Sequence, residues 1–279
     1  MFLKKTWYRR GGSFPTRKFA MRCQEHITAD HPTTQDFVTI HTMITQSPQF
    51  KVFTGQMSPS KMIVAKVGDA TKLKQEYAEC EKLFNARIPN FIKYFCNFEC
   101  NHGINANGSL CNGPGSSMGV LLMSNYAAGR FDKHRWDSPE QVKSILKQVV
   151  CACYMAFKRC AFVHKDLHLG NILVKRTKKQ HIDYTLDTSP ISVQCHGWAA
   201  VIMDFDRSIT TKAVPALYRD LHRAINLSTS ELNLKIDFTA AINKARSPPD
   251  EVTDACIKEL CEAIDAGVFR HVDPYWSPA

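Results

Sequence analysis

Apolar residues along this chain switch between a period of two and a period of three to four, and each switch marks an element. From Phe37 to Val67, β-branched and aromatic residues dominate, with turn signals at "QSPQ" and "MSPSK", which predicts strands joined by hairpins. "MIVAKV" is a compact apolar strand carrying one lysine, Lys66. "DATKLKQEYAECEKLFNA" predicts a helix with Leu73, Tyr77, Cys80, Leu83 and Phe84 on one stripe. "FIKYFCNFEC" is strand-like, the Gly/Asn/Ser-rich stretch after it reads as a loop, and "VLLM" resumes a buried strand. Ser138-Pro139-Glu140-Gln141 marks a helix start, with a capping hydroxyl and a proline in the first turn. Behind it Val142, Ile145, Leu146, Val149, Val150, Cys153 and Phe157 recur at helical spacing. "NILV" and "AAVIM" are strands flanking a polar insert, and helical patterns dominate from Pro215 onward. The order predicts an α+β fold: a small β-sheet lobe with one helix, then a larger, mainly helical lobe.

Composition narrows the class. At 279 residues, 44% hydrophobic and 22% charged, the chain can bury a full core and resembles ordinary globular proteins. No run approaches the roughly 18 apolar residues of a membrane span, and "MFLKK" lacks the apolar core of a secretory signal, so no membrane partner is expected. Eleven cysteines, an odd number without a repeating framework, predict free thiols in a reducing compartment. Cys96, Cys100, His102 and Cys111 match no common zinc spacing. Seven of the ten net positive charges fall within the first 22 residues, so residues 1–35 read as a basic arm before a nearly neutral body. Such an arm is expected to be a solvated tail, with nucleic-acid contact open to it.

The chemistry concentrates in "HKDLHLGNILV" and "VIMDFD". Phosphoryl transfer needs metal ions to neutralise the anionic group and a carboxylate to aim the attacking hydroxyl and take its proton. Asp166 suits the second task, on a loop after the apolar "FVH". Asn171 follows on the same loop with an amide oxygen for a hard cation, and Asp204 ends the strand "AVIM" with a further oxygen donor. A lysine inside a buried strand is costly unless paired. For Lys66 the following helix offers Glu76, Glu79 and Glu81; Glu79 is the expected partner, with Glu76 second.

Strand Lys, helix Glu, apolar strand, long helix, D-x4-N loop, strand, Asp: in that order the chain resembles the protein-kinase superfamily over about residues 38–270. "VAK" at 64–66 looks like the nucleotide-lysine strand, "HKDLHLGN" like the catalytic loop and "DFD" at 204–206 like the metal-binding triplet. The resemblance implies a bilobal fold divided as arm 1–35, N-lobe 36–123 and C-lobe 124–279. It implies Asp166 as catalytic base, Lys66 and Glu79 as the phosphate-positioning pair, and Asn171 and Asp204 as magnesium ligands, with ATP as phosphate donor. "LLMSNY" resembles the hinge, placing Met123 behind the adenine and Ser124 to Tyr126 beside it; Val52, Ala65 and His168 complete the expected ATP-contacting set.

Within the superfamily the likeness is to haspin-type kinases, through "SILKQVV", "HKDLHLGNILVKRTKKQHIDYTL", the polar insert and the 38 residues from Asp166 to Asp204. That branch implies a monomeric serine/threonine kinase acting on proteins, with histone tails the known acceptor of cellular haspins. Its expected location is intracellular, nuclear or cytoplasmic, within a host cell if a virus encodes it. Three departures stand out. The expected glycine-rich loop, "ITQSPQFKV", has no glycine. His168 stands two after Asp166, where many protein kinases carry lysine, and Asp206 replaces the glycine of the metal triplet. Only 16 residues separate Asp204 from Asp220, with no A-P-E triplet, so the site is expected to assemble constitutively. The alternatives are a small-molecule kinase and a catalytically dead scaffold.

Overall fold

The computed structural model describes residues 38–57, 61–100, 117–126, 129–185 and 190–272; the basic arm, His102 and Cys111 lie outside them. The chain divides into two compact units. The first takes in the described residues up to Tyr77 and Lys93–Asn125, the second Ala78–Ile92 and everything from Tyr126.

The first unit is a five-stranded antiparallel sheet in the order β1-β2-β3-β5-β4. Its strands are β1 (Val38–Gln46), β2 (Phe50–Met57), β3 (Lys61–Gly68), β4 (Tyr94–Cys100) and β5 (Met118–Ser124). Ile63, Ala65 and Val67 of β3 pack with Ile40, Phe95, Cys96, Val120 and Leu122 in one core, as period-two alternation requires. The helix after β3, α1 (Ala70–Asn85), buries Leu73, Glu76, Cys80 and Leu83, and its part from Ala78 belongs to the second unit.

The second unit is built on α2 (Pro139–Cys160), whose buried face includes Val142, Ile145, Leu146, Val149 and Val150. Pro139 occupies the first turn as expected, but the Ser138 hydroxyl makes no cap bond; nearby, the Gln141 side-chain oxygen accepts the Asp137 N–H. Short strands follow: β6 (Phe162–Val163), β7 (Ile172–Arg176), β8 (His181–Tyr184), β9 (Ile191–Gln194), β10 (Trp198–Ile202) and β11 (Ile209–Thr210). β7 pairs with β10, β6 with β11, and β8 with β9, so the polar insert is partly a hairpin. Gln148 of α2, fully buried, clamps β10 by accepting from the Ala200 N–H and donating to the Trp198 carbonyl. The helices α3 (Val214–Glu231), α4 (Thr239–Arg246) and α5 (Asp254–Asp265) complete the unit. The helical reading of the C-terminal third omits a strand pair, β12 (Leu234–Asp237) with β13 (Val268–Val272), whose partners are too far apart in sequence for local periodicity to reveal.

Eight described cysteines are free thiols, but Cys100 is disulfide-bonded, which corrects the all-thiol expectation. Pairing depends on which thiols the fold brings within reach, and a count does not record that. Among the described residues no helix is long and apolar enough to cross a membrane.

Candidate active site

In the first unit, β3 sets Lys66 directly opposite Val52 of β2 and Leu121 of β5. Lys66 Nζ donates to Glu76 Oε2 at 2.8 Å, and the Tyr94 hydroxyl donates to Glu76 Oε1. Glu76 is fully buried and Lys66 nearly so, and the Phe50 ring lies over the ammonium, 4.3 Å from Nζ to centroid. This corrects the expected Glu79 pairing. Glu76 falls on the buried stripe, one turn from both Leu73 and Cys80, whereas Glu79 is turned aside and meets Lys82 at 3.3 Å.

A second correction concerns Ala65. It lies in the buried core with Ile63 and Val67, so alternation places it on the face opposite Lys66; Val64 shares that face with Lys66 instead. Val52, as the cross-strand partner of Lys66, is on the lysine's side. Met123 is buried opposite Val64, Ser124 ends β5 half-buried, and Tyr126, in the second unit, carries the Lys175 ammonium 5.6 Å from its ring centre. The glycine-free turn between β1 and β2 is closed on itself: Ser47 Oγ accepts from the N–H groups of Gln49 and Phe50.

In the second unit, Asp166 follows β6 on a loop held from below by Asp220 of α3. The buried Asp220 carboxylate accepts the Lys165 N–H at 2.8 Å, and the backbones of Leu167 and His164 also bond to it. Burial pushes the Asp220 pKa up and these hydrogen bonds oppose the rise. Asn171 donates from Nδ2 to the Asp166 carbonyl at 3.0 Å, which leaves its side-chain oxygen as an acceptor. The Met203 N–H donates to the Asn171 carbonyl, tying the loop to the segment that enters Asp204. Asp204 takes φ 71, a left-handed conformation that Asp tolerates better than most residues. Phe205 is buried against Phe91, Phe162 and His164, which anchors the triplet.

His168 is half-buried, and burial lowers its pKa against the opposing pull of Asp166. Its Nδ1 accepts from the Gly170 N–H. A side chain at Gly170 would meet the Arg130 guanidinium at 2.7 Å and the His168 ring at 2.8 Å, so it would displace one or both. Asp166 Oδ1 accepts from Arg223 Nη1 at 2.7 Å, a contact with no counterpart among the expected site residues. Its only sequence signal is the Asp220-x-x-Arg223 spacing, which sets both side chains on one helix face.

Among the described residues no three His, Cys, Asp or Glu side chains converge as a metal cage. Magnesium on a nucleotide needs none, because one or two protein oxygens and the phosphates hold it. Asn171 and Asp204 offer the hard oxygen donors such an ion takes.

A family profile described as "Haspin like kinase domain" matches residues 117–221, which contain the loop of Asp166, Asn171 and Asp204. Over this stretch the chain is similar to haspin-like kinases. The serine/threonine-protein kinase haspin homolog of Drosophila melanogaster is 28% identical over 135 residues, 48% of this chain and 24% of that protein. Haspin of Mus musculus is 28% identical over 112 residues, 40% of this chain and 15% of that protein. Haspin of Bos taurus is 32% identical over 102 residues, 37% of this chain and 13% of that protein. The match thus covers a quarter or less of the length of each of these haspins.

Proposed function

We propose that this chain is a serine/threonine protein kinase that transfers the γ-phosphate of ATP, with magnesium, to protein hydroxyls. The observation that carries the reading is the grip on the loop of Asp166: Asp220 holds its backbone N–H groups while Asn171 closes it onto the Asp166 carbonyl. A carboxylate fixed in this way can orient an acceptor hydroxyl and take its proton, the general-base role. Lys66, held by Glu76, carries the ammonium for the nucleotide's phosphates, in the place a wandering lysine could not fill. Asn171 and Asp204 would hold the magnesium, which would supply neutralisation of the phosphate charge.

The segment after Asp204 supports constitutive assembly. β11 pairs with β6, Lys82 Nζ donates to Thr210 Oγ1 at 2.8 Å, and the Ser208 hydroxyl donates to the Phe205 carbonyl. No phosphate is needed for any of these bonds.

The test is incubation of purified protein with labelled ATP and magnesium, offering histones and other basic proteins beside a metabolite panel. Label on protein is expected. Asp166→Asn should lower turnover by roughly 10²-fold or more, as for loss of a general base, with nucleotide binding kept. Label confined to metabolites would make it a small-molecule kinase. A scaffold is the second reading, favoured by the Ser47-bound turn and the Phe50 ring over Lys66. Absence of both transfer and nucleotide binding would establish it.

A further inference from the structure

Arg223 lies three residues after Asp220 on α3, so one helix face presents both side chains to the Asp166 loop. The two do different work. Asp220 is buried and takes the loop's backbone; Arg223 takes the functional carboxylate at 2.7 Å. The Arg223 side chain is nonetheless 46% exposed, against 16% for Asp166. A guanidinium has five N–H donors in a planar fork, so one bond to Asp166 leaves donors for an anion arriving at the same carboxylate. Such an anion is what phosphoryl transfer brings there, with charge spread over three equatorial oxygens. The position two after Asp166, His168, carries no ammonium, and its Nδ1 is committed to the Gly170 N–H. Arg207, 3.8 Å from Asp166 Oδ2, is outside hydrogen-bond reach and 67% exposed, so it does not fill the role as directly.

We propose that Arg223 is a further catalytic residue, whose guanidinium, docked on Asp166, binds the phosphoryl group during transfer. This rests on the kinase reading above. As the acceptor oxygen bonds to phosphorus, the bond from phosphorus to the bridging oxygen of ATP breaks and its electron pair leaves on ADP. The hydroxyl proton passes to Asp166, and Arg223 remains protonated throughout.

The experiment compares the full-length wild type with Arg223→Ala, Arg223→Lys, Asp166→Asn and the double variant, by single-turnover transfer from labelled ATP to a protein acceptor and by separate ATP titration. Arg223→Ala is expected to slow transfer by about 10²-fold or more, the loss typical of one transition-state donor, while ATP affinity changes little. Arg223→Lys should fall between, since it keeps the charge and loses the fork. The double variant should be slower than Asp166→Asn alone, because a residue acting only by positioning Asp166 has nothing left to position. A double variant equal to Asp166→Asn overturns the assignment. So does Arg223→Ala at or above the wild-type rate, the latter meaning that the cation blocks the base. If Arg223→Ala does not fold, as judged by thermal unfolding, Arg223→Lys decides: about tenfold slower supports the assignment, and an unchanged rate overturns it. A wild type that transfers nothing overturns the kinase reading itself, a result distinct from these.

Discussion

Lys66 and Glu76 form a buried ion pair whose two members depend on each other. Glu76 also accepts from Tyr94, so its carboxylate is satisfied on both oxygens. Removing one member of such a pair leaves a buried charge and costs about 3–5 kcal/mol. Glu76→Gln should therefore lower the melting temperature markedly and weaken ATP binding, because the amide no longer holds the ammonium in place. Glu79→Gln breaks a half-exposed contact to Lys82, of a kind worth about 0–1 kcal/mol, and should leave thermal unfolding nearly unchanged. Melting curves and ATP titration of the two variants side by side check this. Equal losses in both would mean that the choice between the two glutamates has been misassigned.

At the scale of elements, α3 is the support on which the Asp166 loop rests. Asp220 satisfies backbone N–H groups of the loop, and Lys165 is carried through φ 68, a left-handed state rare for lysine. Asp220→Ala should cost on the order of 3 kcal/mol, as buried donors lose a charged acceptor, and should abolish transfer. Amide exchange provides the check: the Lys165 and Leu167 N–H groups should exchange faster in the variant than the amides of β10, which Gln148 holds independently. Uniformly faster exchange would instead indicate global unfolding. The β12–β13 pair and the β8–β9 hairpin add strands to a unit expected to be mainly helical, and neither carries a proposed site residue.

For the molecule as a whole, constitutive assembly makes a direct prediction. Protein treated with phosphatase, and shown by mass to carry no phosphate, should transfer phosphate at the rate of the untreated protein. A treated form that is inert until phosphorylated would show that the Lys82–Thr210 and β6–β11 contacts do not by themselves order the segment after Asp204. Seven of the chain's ten net charges lie in its first 22 residues. The positive charge beside Asp166 is placed there by Arg223 and Arg207.

Apart from the β8–β9 and β12–β13 pairs, the sequence alone determined the main elements and their order, because burial of one face imposes a period of two on strands and near four on helices, and both are local. β3 with Lys66, α1 after it, the long α2 and the D-x4-N loop were all legible for that reason. The buried stripe of α1 even runs through Glu76, although the choice of Glu79 shows how weakly a stripe alone ranks two acids three residues apart. The tertiary structure decided the partners: Glu76 for Lys66, Asp220 for the Asp166 loop, Arg223 for Asp166, and the disulfide at Cys100. Arg223 and Asp166 are 57 residues apart, and periodicity states only that a face is buried. Which distant group that face meets depends on how all the elements pack together, and a local pattern carries no record of it.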